Sequence, residues 1–395
     1  MTLRVAFTGG GTGGHIYPAL AIDGALRAAF DDGYAAHFYG NRHGLEASLV
    51  TAMPLTFVPS APLRRRFSLG TLRTIAANAA GVAVALAALT RFRPMMVIAT
   101  GGYVCFPVVV AARVLRVARL LRCGIALLEI NVTPGLTNRL LAPLVDEVWT
   151  TYAASRASFG RKTVVTGAPV RGALRAASDP RAARARLQLD PERTTIVVMG
   201  GSQGARSINE AVAALVTRRT LPDAWQVLHV SGERDHAYMQ AEERELAAGN
   251  RVRLVSYLAD PSDAYAAADV VVARAGASTL AELAATGTPA ILIPYPHAAD
   301  QHQAHNAALF AEAGAATVLS DAELDGDRLW WALRDVLEPD RTGAMAAAAC
   351  ALAPHDAAAA IVERVGIAGL RPLRLTRAQR DARVRENADA NGGRP

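Results

Sequence analysis

Short apolar runs recur along the chain, each closed by glycine or a polar turn and followed by apolar positions at helical spacing. The first is Leu3-Arg4-Val5-Ala6-Phe7. The same pattern predicts strands at residues 34–39, 55–58, 95–99, 125–129, 146–150 and 163–166. After a charged helical stretch at 180–189 the rhythm restarts at 194–199. It continues through 226–230, 252–255, 269–272, 290–293 and 316–319, with final helices running to about Val365. Strands alternating with helices throughout predict an α/β fold of two doubly wound parallel-sheet domains facing a cleft. The expected division is 1–167, 168–369 and an arginine-rich, disordered tail at 370–395.

One apolar stretch breaks the rhythm. Residues 74–90 carry no charge, with Arg64-Arg65-Arg66 before them and Arg91 and Arg93 after. The segment is short for a membrane span and is interrupted by Asn78 and Gly81, so a helix packed against a sheet is expected. Its lead-in from Arg64 to Leu69 suits an edge resting on anionic headgroups.

Two loops dominate the chemistry. The first strand runs into Thr8-Gly9-Gly10-Gly11-Thr12-Gly13-Gly14-His15, and the strand at 194–199 into Gly200-Gly201-Ser202-Gln203-Gly204-Ala205-Arg206. Each has the strand, glycine loop, helix order that holds phosphate, because backbone N–H groups and a helix N-terminus converge on the anion. Gly9, Gly11 and Gly14 also satisfy G-x-G-x-x-G, a weak sign of a dinucleotide site. That reading expects an acidic residue at the end of the second strand, where the sequence has Gly40-Asn41-Arg42. Arg42 would suit a 2′-phosphate, but a nicotinamide enzyme leaves the second loop unexplained. A third segment, Arg274 to Glu282, places Ser278 and Thr279 at a helix start and Glu282 one turn in, able to accept from ribose hydroxyls.

At 395 residues, 51% of them hydrophobic and 19% charged, the chain has material for two sizeable cores. The net charge of +7 is uneven: +10 over residues 1–165, −7 over 166–369 and +4 over the rest. That argues against a nucleic-acid stripe along the whole molecule and suits a first half that faces an anionic membrane or a lipid phosphate. Cys105, Cys123 and Cys350 are too scattered for a disulfide framework or metal cluster, which fits a reducing cytoplasm. The N-terminus runs straight into a strand, so no secretory leader is expected.

The glycine loops, together with Thr100-Gly101-Gly102-Tyr103 and the Gly276–Glu282 segment, resemble the MurG family of N-acetylglucosaminyltransferases in the same order from about residue 3 to 365. The resemblance implies a GT-B-type fold and transfer of GlcNAc from UDP-GlcNAc to undecaprenyl-pyrophosphoryl-MurNAc-pentapeptide, lipid I, giving lipid II. It also implies a peripheral enzyme on the cytoplasmic face of the cell membrane, with UDP-GlcNAc as substrate and no cofactor. Carried over residue by residue, it makes Thr12, Gly13, Gly14, Asn131, Arg171, Ser202, Leu258, Gln303 and each of Ala277, Ser278, Thr279, Leu280, Ala281 and Glu282 substrate-binding positions. Leu258 would meet uracil through its backbone, and part of the Thr12–Gly14 loop would meet the acceptor's diphosphate. Gly102 and Tyr103 fall on the acceptor side. Where the family usually has His-Glu-Gln-Asn, this chain has Leu128-Glu129-Ile130-Asn131.

Such a transfer inverts the anomeric centre by one in-line displacement, so it needs a base for the acceptor hydroxyl and stabilisation of the departing diphosphate. His15 is the first candidate base, on its position and unperturbed pKa, and Glu129 the second. Arg171 and the helix starts at Ser202–Ala205 and Ser278–Thr279 supply the stabilisation. The scheme calls for no metal, and Asp325-Gly326-Asp327 reads as a helix N-cap. Two other readings are a related transferase with a different lipid or small-molecule acceptor, and a non-catalytic membrane-docked nucleotide-sugar binder.

Overall fold

The computed structural model describes residues 2–62, 69–175, 179–201, 204–240, 251–353 and 356–369. Arg64, Arg65 and Arg66, Ser202 and Gln203, and the tail at 370–395 lie outside the described residues. Among the described residues, thirteen strands stand where the apolar runs predict them. They are β1 Leu3–Thr8, β2 Tyr34–Gly40, β3 Leu55–Phe57, β4 Met96–Ala99, β5 Gly124–Glu129, β6 Glu147–Thr150 and β7 Thr163–Val165, then β8 Thr194–Met199, β9 Trp225–Val230, β10 Val252–Val255, β11 Val270–Ala273, β12 Ala290–Leu292 and β13 Ala316–Val318. The helices used below are α1 Gly13–Phe30, α2 Glu46–Leu49, α3 Leu69–Phe92, α4 Cys105–Val117, α5 Leu136–Leu141, α6 Arg206–Arg218, α7 Ser262–Ala267, α8 Ala277–Thr286, α9 His302–Glu312, α10 Gly326–Val336 and α11 Ala357–Gly369.

Two parallel sheets result, in the orders β3-β2-β1-β4-β5-β6-β7 and β10-β9-β8-β11-β12-β13. In each, strand order reverses beside the first strand, between β1 and β4 and between β8 and β11. Connections there leave toward opposite faces, so a crevice opens at the carboxyl edge. The loops after β1, β4, β8 and β11 are the four that carry the glycine and serine segments. Both faces of each sheet are covered, which is why the strands read as unbroken apolar runs instead of alternating ones.

α3 is the helix expected at 74–90. Ala85 and Leu89 pack with Val97, Val108 and Val109, covering the first sheet together with α4. Asn78 is buried and donates to the carbonyls of Thr74 and Ala61 at 2.9 and 3.1 Å. A Cβ on Gly81 would collide with the Pro59 carbonyl, so the two residues that interrupt the apolar segment are the ones that let the helix dock. Its other face is open: Leu72 is 58% and Ile75 55% exposed. The last helix, α11, leaves the second half and packs on α1. There Ile361 and Val365 are buried in the core beside Ile16 and Ile22, and Arg364 pairs with Glu147 of β6.

Candidate active site

The carboxyl edges of the two sheets face one cleft. Thr12, Gly13, Gly14, His15, Gly102, Tyr103, Glu129, Asn131 and Arg171 line it, as do Leu258, Ala277, Ser278, Thr279, Glu282 and Gln303. Residues from seven separate loops thus meet in one place.

His15 sits in the first turn of α1, its ring held against the loop after β4. Its Nδ1 lies 3.1 Å from the Thr100 carbonyl, an acceptor only, so Nδ1 carries the proton and Nε2 keeps its lone pair. Thr100 Oγ1 donates to the His15 carbonyl at 2.6 Å, closing the clasp from the other side. Burial pulls the His15 pKa below its usual 6.5 against the opposing charge of Glu129, so the ring is neutral near pH 7. Gly101 is required here: its φ is +109°, and a Cβ would press on the imidazole at 2.5 Å.

Glu129 is a different case. Its carboxylate is buried and accepts from Asn131 N and Nδ2, both 3.0 Å, and from Gly135 N and Asn138 Nδ2 at 3.0 and 2.8 Å. Four donors occupy it, so it organises the loop from β5 to α5 and has no lone pair free for a reacting hydroxyl. The expectation of Glu129 as second base is corrected accordingly. Asn131 is held between that carboxylate and Asn306 of α9, whose Nδ2 donates to Asn131 Oδ1 at 3.2 Å. Of the two aliphatic residues flanking Glu129, Leu128 lies in the core with Phe7 and Trp149, while Ile130 lines the cleft floor.

On the facing side, the loop after β11 opens α8. Glu282 is largely buried; it accepts from the Tyr265 hydroxyl at 2.8 Å and lies 3.6 Å from Arg171 Nη2. Burial raises its pKa, with Tyr265 and Arg171 opposing the shift. Arg171 donates to the Ala259 carbonyl at 2.9 Å and lies over the Tyr17 ring, 4.7 Å from its centroid. Its Nε is buried without a hydrogen-bond partner among the described residues. Gln303 accepts from Tyr295 N at 2.9 Å. Leu280 and Ala281 direct their side chains into the core of the second sheet, because consecutive helical residues turn through 100° and cannot all face one ligand. Asp325 caps α10 by accepting from Arg328 N at 2.7 Å, and Asp327 pairs with Arg219.

Contacts between the two halves complete the cleft, one of them between Tyr17 and Tyr257, which were not singled out beforehand. Tyr17 and Tyr257 share a hydroxyl–hydroxyl hydrogen bond of 2.9 Å between the two halves, and Ser278 Oγ donates to the Gly14 carbonyl at 3.3 Å. Burial and that partner push the Tyr17 pKa up to about 12. Contacts between residues 240 positions apart leave no local signal.

The N-terminal domain of glycosyltransferase family 28 matches residues 5–150, and its C-terminal domain matches residues 195–362. The UDP-N-acetylglucosamine--N-acetylmuramyl-(pentapeptide) pyrophosphoryl-undecaprenol N-acetylglucosamine transferase of Moorella thermoacetica is 41% identical over 370 residues, 91% of this chain and 98% of that protein. Its counterpart in Desulforamulus reducens is 38% identical over 346 residues, 85% and 90% of the two chains. The chain belongs to the MurG family. The crystal structure of Acinetobacter baumannii MurG superposes with a TM-score of 0.68 at 23% identity, over 92% of this chain and 99% of that one. The calicheamicin glycosyltransferase CalG4 superposes at 0.63 with 14% identity, over 95% and 100%. The fold is thus the GT-B arrangement of two facing parallel-sheet domains, and the enzyme is a hexosyltransferase of the MurG type.

Proposed function

We propose that the protein transfers GlcNAc from UDP-GlcNAc to the MurNAc sugar of undecaprenyl-linked lipid I, forming lipid II for peptidoglycan. The observation that carries this reading is the pairing across one cleft of a neutral, tautomer-fixed histidine on α1 with the helix start and ribose-ready carboxylate of α8. Residues 168–369 bind the donor. Leu258 and Glu282 receive the uridine, and the N-termini of α6 and α8 with Arg171 take up the charge that develops on the diphosphate. Residues 1–167 bind the acceptor, with Thr12, Gly13 and Gly14 toward its diphosphate and Gly102 and Tyr103 beside it. His15 Nε2 takes the proton from the acceptor hydroxyl as that oxygen attacks the anomeric carbon in line and the bond to UDP breaks.

The acceptor is anchored in a membrane, and the first half has a surface to meet it. Alongside Leu72 and Ile75 of α3, Val117 of α4 is 71% and the following Leu120 63% exposed, with Arg119 and Arg122 exposed nearby. Apolar side chains interleaved with arginines suit shallow insertion at an anionic surface, which supports a peripheral protein of the cytoplasmic leaflet. Incubation with radiolabelled UDP-GlcNAc and lipid I in vesicles tests the function. Label in lipid II is expected; UDP release only with another acceptor, or UDP binding without turnover, overturns it.

A further inference from the structure

The sequence has no carboxylate directly after β2, yet the fold returns one to that place. Glu46, the first residue of α2, turns inward and is fully buried beneath the loop after β1. Its Oε1 accepts from the backbone N–H groups of Gly11 and Asn41, both at 3.2 Å. Its Oε2 is buried with no hydrogen-bond partner among the described residues. Room for the side chain comes from three glycines: a Cβ on Gly10, Gly40 or Gly44 would run into it.

A buried carboxylate with one oxygen unmatched is costly, and an aliphatic residue would fill the same space without that cost. What the aliphatic residue lacks is an oxygen to join two loops. One of those loops carries Thr12 to His15 and is gripped on its far side by the loop after β4. There Gly10 N donates to the Gly101 carbonyl at 3.3 Å, and Thr100 clasps His15. Glu46 closes the near side. It also turns the Gly11 N–H inward, leaving the N–H groups at the start of α1 to face an anion.

We propose that Glu46 is a positioning residue of the transfer site, holding Gly11 and Asn41 from beneath so that the start of α1 and the His15 imidazole face the acceptor. The inference rests on the acceptor-side reading of this loop given above.

Glu46→Gln keeps an oxygen for both N–H groups, whereas Glu46→Ala removes it. Turnover with lipid I is measured per UDP-binding site, so that unfolded protein does not count. Glu46→Ala is expected to lower kcat by about 30-fold, with the KM for UDP-GlcNAc within about twofold and Glu46→Gln within about threefold of the unaltered protein. Amide exchange across residues 9–15 speeds up in Glu46→Ala and not in Glu46→Gln. If Glu46→Ala binds no UDP, Glu46→Met, which fills the space without an oxygen, replaces it. Unchanged turnover per site in the oxygen-free variant, or a Glu46→Gln variant equally impaired, overturns the proposal. If the unaltered protein makes no lipid II, the acceptor reading fails on its own. In that case faster exchange across 9–15 in the oxygen-free variant still supports the role of Glu46, and unchanged exchange overturns it.

Discussion

The loop after β1 and the loop after β8 leave corresponding places in their sheets, and each opens a helix toward the cleft. Beneath the first, a buried carboxylate holds Gly11, and His15 stands in the cleft with Nδ1 on the Thr100 carbonyl. Beneath the second, a Cβ on Gly204 would run into the Ser231 carbonyl, which accepts from Asn209 Nδ2 at 3.0 Å. A histidine is present there too, but His229 lies in the core with Nε2 donating to Asn209 Oδ1 at 2.9 Å. Topology supplies a helix N-terminus twice, and the side chains around it decide its use. One loop presents a proton acceptor, whereas beside the other the histidine on β9 is locked away in the core.

The sharpest way to break this comparison is His15→Ala. Loss of a positioned base is expected to lower kcat by about 10²–10⁴-fold. In the unaltered protein the acid limb of kcat/KM should fall below pH 6.5, since burial lowers the His15 pKa and protonation removes the Nε2 lone pair. Unchanged turnover at saturating acceptor would exclude the base assignment.

His229 should answer to pH through stability. Burial, with a smaller push from His236, holds its pKa down to about 4 in the folded protein. It is neutral when folded and protonated when unfolded between pH 6.5 and 4, so stability is lost as pH falls through that window. The loss is about 3 kcal/mol at its lower end. Urea unfolding of the parent and His229→Gln checks it, the variant's acid slope being expected to shrink.

Glu282→Gln is expected next in size. It should raise the KM for UDP-GlcNAc by about 10–50-fold with a smaller change in kcat, read from steady-state kinetics. Smallest is the pair Val117→Asp with Leu120→Asp. Vesicle flotation should show binding to anionic vesicles weakened by about 3–10-fold, with transfer to a soluble acceptor analogue unchanged.

Much of this division was legible in the sequence, because parallel strands buried on both faces announce themselves as apolar runs ending in glycine. The strand ends then locate the cleft. What local pattern could not show was the direction of side chains once the helices turned. Ser278, Thr279 and Glu282 face the cleft, while Leu280 and Ala281 between them do not. Glu129 read as a base until the donors of Asn131, Gly135 and Asn138 were placed around it. Glu46 was invisible for the opposite reason: the turn after β2 carries it back to a site six residues earlier. Tyr17 with Tyr257, and Asn131 with Asn306, are products of domain docking alone.

The central claim, that the second half holds the nucleotide while the first supplies acceptor site and base, is tested most directly by calorimetric titration of UDP into the parent, His15→Ala and Glu282→Gln. The predicted result is affinity within about twofold of the parent for His15→Ala and at least about tenfold weaker for Glu282→Gln. Equal weakening in both, or weakening in His15→Ala alone, would contradict it.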